Sequence, residues 1–281
     1  MDVALVVLHA TVTDRQGGFV SNLEQGDFEV FEDGKPQAIR VFTNEDVPVT
    51  VGLVIDHSSS MRPKLAEVTV AASSFVKHSN PEDEMFVVNF NERVSLGLPA
   101  KVRFTDRIDQ LQTAITAAPA DGQTALYDAI AKALGELSAG SRDKKVLIVV
   151  SDGGDNASAL NRGQIMKLAQ RSSAVIYTIG IFDADDPDQN PGLLKHLALL
   201  TGGEAFIVNE VSGIVAISER IARDIRHQYT IGFAPANAAG DGASHAIRVH
   251  AQAKGHERMS VRARTNYVAA PGAELNEKGA R

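Results

Sequence analysis

The chain has 281 residues, which is enough for one large domain or two modest ones. Its net charge of −7, its aromatic share of 5% and its lack of tryptophan argue against a nucleic-acid partner. Because the sequence has no cysteine, disulfides, thiolate metal sites and cysteine nucleophiles are excluded. No run of eighteen apolar residues is present, so we expect no membrane span in this chain.

The first 47 residues have the alternation and turns of β structure. Residues 28–32 lead into Asp33-Gly34, which is a strong signal for a two-residue hairpin. We expect residues 38–42 to return as the second arm of that hairpin. Pro36 places the start of this arm at a sheet edge, because proline cannot donate a ladder hydrogen bond.

The middle of the chain alternates apolar runs with helical stripes. The expected strands are Val49–Ile55, Met85–Phe90, Val94–Leu98, Val146–Val150, Val175–Ile181 and Ala205–Val208. Apolar residues three and four apart mark helices near Leu65, Leu126 and Ile214. Such alternation predicts an α/β fold, a doubly wound and mostly parallel sheet with helices on both faces. The short link between the second and third runs allows one antiparallel edge strand.

The last part of the chain returns to the β pattern. Residues 229–233 form one apolar run. Apolar and polar residues then alternate over 247–251 and 259–263, with a turn at Lys254-Gly255 between them. These runs predict three further strands.

Strand segments therefore flank the α/β part on both sides. Neither residues 1–47 nor residues 228–270 are numerous enough to hold a core alone. We expect the two segments to pair into one small β unit, with the α/β domain of residues 48–227 inserted between them. Residues 271–281 are rich in Gly, Ala, Glu and Lys and are predicted to be a disordered tail.

A D-x-S-x-S motif at Asp56, Ser58 and Ser60 follows the first strand of the α/β part. Helical periodicity begins at Met61, so the motif is predicted on a strand-to-helix loop, where ligands of open α/β sheets bind. One carboxylate and two hydroxyls are hard oxygen ligands that suit a small divalent cation. The alternative is a plain helix cap, because Asp and Ser are favoured there.

Two further loops carry candidate ligands. Thr124 ends a Gly-containing loop before a predicted helix, and Asp152 directly follows a predicted strand. In a parallel sheet both loops share the edge that carries Asp56, so the three loops can meet. A plain N-cap role for Thr124 and turn chemistry alone for Asp152 remain open. We expect Asp155 and Asn156 to be structural.

This pattern resembles the metal-ion-dependent adhesion site (MIDAS) of the von Willebrand factor A domain, which has D-x-S-x-S, then a Thr and then an Asp in three loops. The matching residues are Asp56, Ser58, Ser60, Thr124 and Asp152. The resemblance covers about residues 48–227 and implies a Rossmann-like fold. The flanks resemble those of acidobacterial-type VWFA-related proteins at Gly26–Gly34 and Tyr229–Phe233. This sequence departs from the family at Ser59, where Gly is usual.

The resemblance implies a bound divalent cation. Mg²⁺ is expected first, with Mn²⁺ or Ca²⁺ as alternatives, because oxygen ligands suit all three. In this family the hydroxyls of Ser58, Ser60 and Thr124 would be neutral ligands, and Asp56 and Asp152 often act through water. A cation held mostly by neutral oxygens keeps much of its positive charge.

The function that the resemblance implies is metal-dependent binding of a partner protein, without catalysis. A Glu or Asp carboxylate of the partner would fill an open coordination position on the cation. The positive dipole end of the helix starting near Met61 would favour that anion. We expect a secreted or extracytoplasmic protein, with a cytoplasmic location as the alternative.

Two other functions are left open by the sequence. A metal-dependent hydrolase or phosphatase would use Ser60 as nucleophile and would need a base, for which His57 is the nearby candidate. We expect His57 instead to be a partly exposed loop residue. No Gly-x-Ser-x-Gly, Walker A or Gly-x-Gly-x-x-Gly motif is present. The third possibility is a subunit of an ATPase-driven complex.

Two charged segments complete the pattern. An acidic loop is predicted at the same sheet edge as the motif, with Asp183, Asp185, Asp186 and Asp188. Its spacing does not fit an EF-hand, so we expect a solvated loop that tunes partner choice, with a second cation as the alternative. A basic strand carries Arg258, Arg262 and Arg264. We expect these arginines to lie on a solvated sheet face.

Overall fold

The computed structural model describes residues 5–182, 189–235, 242–256 and 258–269. These residues form fourteen strands and six α-helices. The strands are β1 (Val6–Thr13), β2 (Phe28–Glu32), β3 (Lys35–Gln37), β4 (Ile39–Thr43), β5 (Val49–Asp56), β6 (Glu84–Phe90), β7 (Val94–Leu96), β8 (Lys144–Ser151), β9 (Val175–Ile181), β10 (Ala205–Val208), β11 (Tyr229–Phe233), β12 (Ser244–Ala251), β13 (Ser260–Arg262) and β14 (Asn266–Val268). The helices are α1 (Leu65–Lys77), α2 (Ile108–Ile115), α3 (Leu126–Leu137), α4 (Arg162–Arg171), α5 (Pro191–Thr201) and α6 (Ile214–Arg226).

A six-stranded sheet of order β10-β9-β8-β5-β6-β7 forms the centre of the molecule. All neighbours are parallel except β7, which pairs antiparallel with β6. Every residue of β5 is buried, as expected for a strand covered on both faces. On one face α1 packs against α6, and α3 packs against β5 and α4. The predicted fold class, a doubly wound and mostly parallel sheet with one antiparallel edge strand, is confirmed.

Strands from the two ends of the chain form two four-stranded sheets, of order β13-β1-β11-β4 and β14-β12-β2-β3. N-terminal strands pair with C-terminal strands in both, through β1 with β11 and β2 with β12. The sheets face each other across a second apolar core that includes Leu8, Phe28, Ile231 and Ile247. We call this unit the β sandwich. The boundaries after residues 47 and 227 stay a prediction, and the predicted tail of residues 271–281 lies outside the described residues.

The predicted hairpin after β2 is right in its turn and wrong in its second arm. Asp33 and Gly34 have φ of 49° and 79°, as a two-residue hairpin turn requires. The returning arm is β3, which contains Pro36 and lies at the sheet edge. The next strand, β4, leaves for the other sheet and pairs with β11. Ile39 and Phe42 of β4 pack against the same apolar core as Phe28 and Val30 of β2.

The prediction of a solvated face for Arg262 and Arg264 is wrong. Arg262 forms an ion pair with the buried Asp224 of α6, which also accepts a 2.6 Å hydrogen bond from Thr11 Oγ1. Arg264 is 9% exposed and donates to backbone carbonyls, including that of Ser172. Both arginines fasten the β sandwich to the α/β domain, a contact that one-dimensional alternation does not reveal.

Within the described residues, no helix is both long enough and apolar enough to cross a bilayer.

Gly203 provides a test of this packing, because it brings the start of β10 close to β9. A Cβ at this position would lie 2.0 Å from the backbone oxygen of Ile176. We expect Gly203→Ala to lower the free energy of unfolding by about 3 kcal/mol, since backbone cannot move aside as a side-chain tip can. Urea denaturation followed by circular dichroism measures the change.

Gly135→Ala is the matched control. Gly135 is exposed in α3 and has open space around it. Alanine is the better helix former, so this variant should gain up to about 1 kcal/mol. A Gly203→Ala protein as stable as wild type would contradict the described approach of β10 to β9.

Candidate functional site

The first candidate residue, Asp56, is the last residue of β5 and is fully buried. Its Oδ2 accepts a 2.6 Å hydrogen bond from Ser151 Oγ, and its Oδ1 accepts a 2.8 Å bond from the Ser58 amide. Ser151 ends β8, the parallel neighbour of β5. The carboxyl ends of both strands therefore meet at one edge of the sheet, and a serine hydroxyl joins them.

The second link across the same edge runs through Ser60. Its hydroxyl donates a 2.6 Å hydrogen bond to Asp152 Oδ2 and lies 3.1 Å from the hydroxyl oxygen of Ser58. The other oxygen of Asp152 accepts from the Gly154 amide at 3.1 Å. Four of the five candidate residues thus form one hydrogen-bonded group: Asp56, Ser58, Ser60 and Asp152.

Thr124 lies in the adjoining loop, which is tied to the other two. The Ser59 amide and hydroxyl both contact the Gly122 carbonyl oxygen at 3.3 Å. The Thr124 amide donates to Asn156 Oδ1 at 2.9 Å, and its carbonyl accepts from the Asn156 amide at 3.0 Å. Among the described residues, no hydrogen bond to the Thr124 hydroxyl is found. The N-cap of α3 is Ala125, so Thr124 precedes the cap.

The segment after the motif differs from the prediction. Residues Ser59–Lys64 form a 3₁₀ helix, and α1 begins at Leu65 instead of near Met61. Pro63 lies inside this 3₁₀ segment, which runs directly into α1. The residues that follow the motif are therefore a 3₁₀ segment and not the first turn of the expected α-helix.

His57 is buried, not partly exposed as predicted. It is 1% exposed, and its Nε2 lies 3.2 Å from Asn89 Oδ1. Burial lowers its pKa, so the neutral ring is favoured. The contact to Asn89 directs the ring toward β6, while the Ser60 hydroxyl is engaged by Asp152.

The two carboxyl groups of the site repel each other. Burial, and then the negative charge of Asp152, raise the pKa of Asp56 to about 6, against the hydrogen bonds from Ser151 and Ser58. Two negative charges so close in a buried setting are costly unless positive charge compensates them. The site therefore favours a bound cation on electrostatic grounds.

The donor set fits a hard divalent cation. It offers carboxylates on Asp56 and Asp152 and hydroxyls on Ser58, Ser60 and Thr124, all oxygen. Within the described part of the chain, no group of three or more His, Cys, Asp or Glu side chains is placed to hold a metal. A cation here would depend on hydroxyl oxygens as well as on the two carboxylates.

Sequence reasoning missed residues that hold the site in shape. Ser151 bonds directly to Asp56, and the signal was its place as the last residue of a predicted strand. Gly153 has φ of 80°, and a Cβ there would lie 2.6 Å from the Asn190 carbonyl oxygen. The Asn190 amide in turn donates to the Asp152 carbonyl at 3.2 Å. Asp155 accepts from the Tyr127 amide at 2.9 Å and fixes the start of α3, in agreement with its predicted structural role.

The acidic loop predicted beside the site falls on residues 183–188, which lie outside the described residues.

Comparison with known proteins identifies the class of domain. Residues 51–154 match the family model described as von Willebrand factor type A domain. The matched range runs from β5 to the loop after β8 and includes all five candidate residues. Over these residues the chain is similar to von Willebrand factor type A domains. No curated protein matches the sequence.

Solved structures with the same fold share little sequence with this chain. A von Willebrand factor type A protein from Catenulispora acidiphila is 15% identical, with a TM-score of 0.56 over 89% of this chain and 75% of its own. That coverage exceeds the α/β domain alone, so the likeness extends into the β sandwich. The vWF domain of the type V pili tip protein Mfa5 from Porphyromonas gingivalis is 17% identical, with a TM-score of 0.54 over 64% of this chain and 95% of its own.

A third structure has metal in the corresponding motif. Proximal thread matrix protein 1 from the mussel byssus, described with a zinc-occupied MIDAS motif, is 18% identical. Its TM-score is 0.52 over 64% of this chain and 48% of its own. At sequence identities of 15% to 18%, these likenesses show that the three structures share the fold of this chain.

The buried carboxyl pair leads to a pH prediction for the metal-free protein. Since the pKa of Asp56 is raised to about 6 from an unfolded value of about 3.9, the folded state binds more protons between these values. The free energy of unfolding should therefore fall as pH rises from about 4 to 6, in chelator. Carboxyl ¹³C NMR should show Asp56 titrating near pH 6, and at a lower pH in Asp152→Asn. A wild-type midpoint below 4.5 would contradict the described burial.

Proposed function

We propose that this chain is a metal-dependent protein-binding module, in which Asp56, Ser58, Ser60, Thr124 and Asp152 together hold one divalent cation. Mg²⁺ is the first candidate, and Mn²⁺, Ca²⁺ or the Zn²⁺ of the mussel protein's motif are alternatives. The observation that carries the proposal is the hydrogen-bonded group joining Ser58 and Ser60 to Asp152 beside a buried Asp56.

In this proposal the residues divide into two roles. The hydroxyls of Ser58, Ser60 and Thr124 supply neutral oxygens. The carboxylates of Asp56 and Asp152 orient them and balance charge, and Asp56 is already engaged by Ser151 and by the Ser58 amide. When bound, the cation would supply a positive centre only partly neutralised by its ligands.

The partner's contribution would be a carboxylate. The site belongs to loops at the carboxyl edge of the sheet, where α/β folds bind ligands. Of the five proposed ligands, Ser60 is partly exposed, whereas the other four are buried. An incoming Glu or Asp would therefore meet the Ser60 hydroxyl first, and the fully buried Asp56 would remain behind it.

A non-catalytic role is the better supported one. A hydrolase with Ser60 as nucleophile needs a base on that hydroxyl. His57 is turned to Asn89, and the Ser60 hydroxyl donates to Asp152. A serine held as a donor to a carboxylate, beside a second serine hydroxyl, is better arranged to offer lone pairs to a cation than to attack a substrate.

We propose an extracytoplasmic location for the module. The structural likeness to a vWF domain of a pilus-tip protein and to an aerotolerance-related membrane protein from Bacteroides fragilis supports this placement. A subunit of an ATPase-driven complex is the alternative, and cell fractionation of the native protein distinguishes the two locations.

A matched pair of serine variants tests the metal site. Ser58→Ala and Ser60→Ala each remove a proposed ligand, and we expect them, like Asp56→Ala, to weaken Mg²⁺ or Mn²⁺ binding at least about tenfold. Ser59→Ala lies in the same loop, but its hydroxyl contacts the Gly122 carbonyl, so its affinity should stay within about twofold of wild type. Isothermal titration calorimetry measures all four. Equal affinity in Ser60→Ala and wild type would refute the metal site.

A carboxylate probe tests the binding mode separately. Glutarate titrated into ¹⁵N-labelled protein with Mg²⁺ should shift the amides of Ser58, Ser60 and Gly153, and chelator should abolish the shifts. Glutaramide has the same length without charge and serves as the control. If the cation binds and glutarate causes no shifts there, the metal site stands and the carboxylate-bridging mechanism is wrong.

A further inference from the structure

A cleft of about 960 Å³ lies between the β sandwich and the α/β domain. Pro48 and Lys144 line it, and they lie where β5 and β8 begin, whereas Asp56 lies where β5 ends. The eight residues of β8, at about 3.3 Å per residue, place the cleft roughly 23 Å from the metal-site edge. Its volume is typical of small-molecule sites, which occur preferentially at domain interfaces.

The charge of the cleft wall is strongly unbalanced. Four cationic side chains contribute to it: Arg142, Lys144, Arg171 and Arg264. Asp143 is the carboxylate among the described lining residues. Within the described part of the chain, none of the four cations forms a salt bridge with any carboxylate. An anion in the cleft would therefore meet donors that are not already neutralised.

Within the part of the chain that the structure describes, the two most buried of these cations have only carbonyl partners. Lys144 is 4% exposed, and its Nζ donates one 2.6 Å hydrogen bond to the Ile225 carbonyl. Arg264 donates from Nε and Nη2 to the carbonyls of Gln170, Ser172 and Asn266. Its Nη1 has no hydrogen bond to the described residues. Both side chains thus keep donors available for a ligand.

Two partly buried arginines of this protein are paired differently. Arg226 pairs with Asp83 and Asp46, and Arg262 pairs with Asp224. Buried charges are rarely retained without such partners, because desolvation is costly. The negative charges of Asp46, Asp83 and Asp224 act to raise the pKa of Lys144. Each of these carboxylates is already engaged in one of the ion pairs just named. Among the described residues, no carboxylate is paired with Lys144 or Arg264 at the cleft.

The field inside the cleft is positive. The pKa of His9, another lining residue, is lowered to about 3 by its burial and then by the charges of Lys144 and Arg264. Burial, followed by the charge of Arg226, lowers the pKa of Lys144 to about 7. Both shifts are in the direction that a bound anion would reverse.

The remaining wall is apolar. Leu5, Val7 and Val47 line the cleft and are 40%, 44% and 37% exposed. Val7 alternates along β1 with Leu8, which is buried in the sandwich core, so Val7 points to the opposite face. Exposed apolar side chains beside cations favour a ligand that has both an apolar part and an anionic group.

We propose that this cleft binds a small organic anion with an aliphatic body, a medium-chain carboxylate. Lys144 and the free Nη1 of Arg264 receive the carboxylate, and Leu5, Val7 and Val47 cover the hydrocarbon. This site is separate from the metal site in position and in chemistry.

Decanoate is the probe that tests the proposal. Decanol has the aliphatic chain without the carboxylate, and acetate has the carboxylate without the long chain, so the two serve as controls. Isothermal titration should show decanoate binding at least tenfold more tightly than either control. Amides near Val7, Lys144 and Thr230 should shift in ¹⁵N NMR spectra, and those of Ser58 and Ser60 should not. Chelator should leave the affinity unchanged. Decanoate that binds no better than decanol, or that shifts amides elsewhere, would overturn the proposal.

Adjacent lysines supply the matched variants. Lys144→Met should weaken decanoate binding at least tenfold, whereas Lys145→Met should not, because Lys145 Nζ lies on the other side of β8 at Thr50 Oγ1 and the Gly140 carbonyl. Val7→Ser changes an exposed side chain, so it remains informative if Lys144→Met does not fold, and it should also weaken binding several-fold. Equal affinities in wild type, Lys145→Met and either cleft variant would refute the assignment.

Discussion

The parallel pairing of β5 with β8 is the constraint on which the site depends. It places Asp56 and Asp152 at the same edge of the sheet, although they are far apart in sequence. Two serine hydroxyls then cross between the strand ends, from Ser151 to Asp56 and from Ser60 to Asp152. A hydroxyl bridge of this kind brings two carboxylates together without a fixed positive partner. A bound cation would relieve the resulting repulsion, which is the electrostatic argument for the proposed metal site.

Much of the α/β domain follows from local sequence pattern. Its strands are short apolar runs bounded by turns. In a chain whose apolar runs alternate with helical stripes, such a run is typical of a strand that is buried on both faces. The ligand motif was equally readable, because D-x-S-x-S, a Thr and an Asp each follow a strand or precede a helix. The motif alone does not show that its residues form one hydrogen-bonded group. This result depends on the order of the strands in the sheet, which the sequence only implied. The group consists of Asp56, Ser58, Ser60 and Asp152.

What could not be predicted depends on contacts between distant residues. His57 looks like a loop histidine in sequence, yet Asn89 of the neighbouring strand holds it in a buried position. The residues from Ser59 to Lys64 form a 3₁₀ segment and α1 begins only at Leu65, although helical periodicity begins at Met61. Arg262 and Arg264 alternate with apolar residues as solvated side chains would, and only the docking of the sandwich buries them. The switch of β4 to the second sheet is another long-range choice, made by pairing with β11.

The two edges of the central sheet have different chemistry. At the carboxyl edge, carboxylates and hydroxyls gather and favour a cation. At the amino edge, where the β sandwich docks, Lys144 and Arg264 gather, and neither has a carboxylate partner among the described residues. The ion pair of Arg262 with Asp224 holds the sandwich against α6 and so fixes the shape of the space between the two units. The inserted arrangement of the domain is therefore part of what the molecule offers to ligands.

The most direct measurement is a crystal structure of the protein grown with Mn²⁺, recorded at a wavelength where manganese scatters anomalously. The account predicts one strong anomalous peak among Ser58, Ser60 and Thr124, with metal–oxygen distances of roughly 2.0–2.3 Å, close to those of other hard divalent cations. A well-ordered site with no anomalous peak there, at a manganese concentration in the millimolar range, would contradict it.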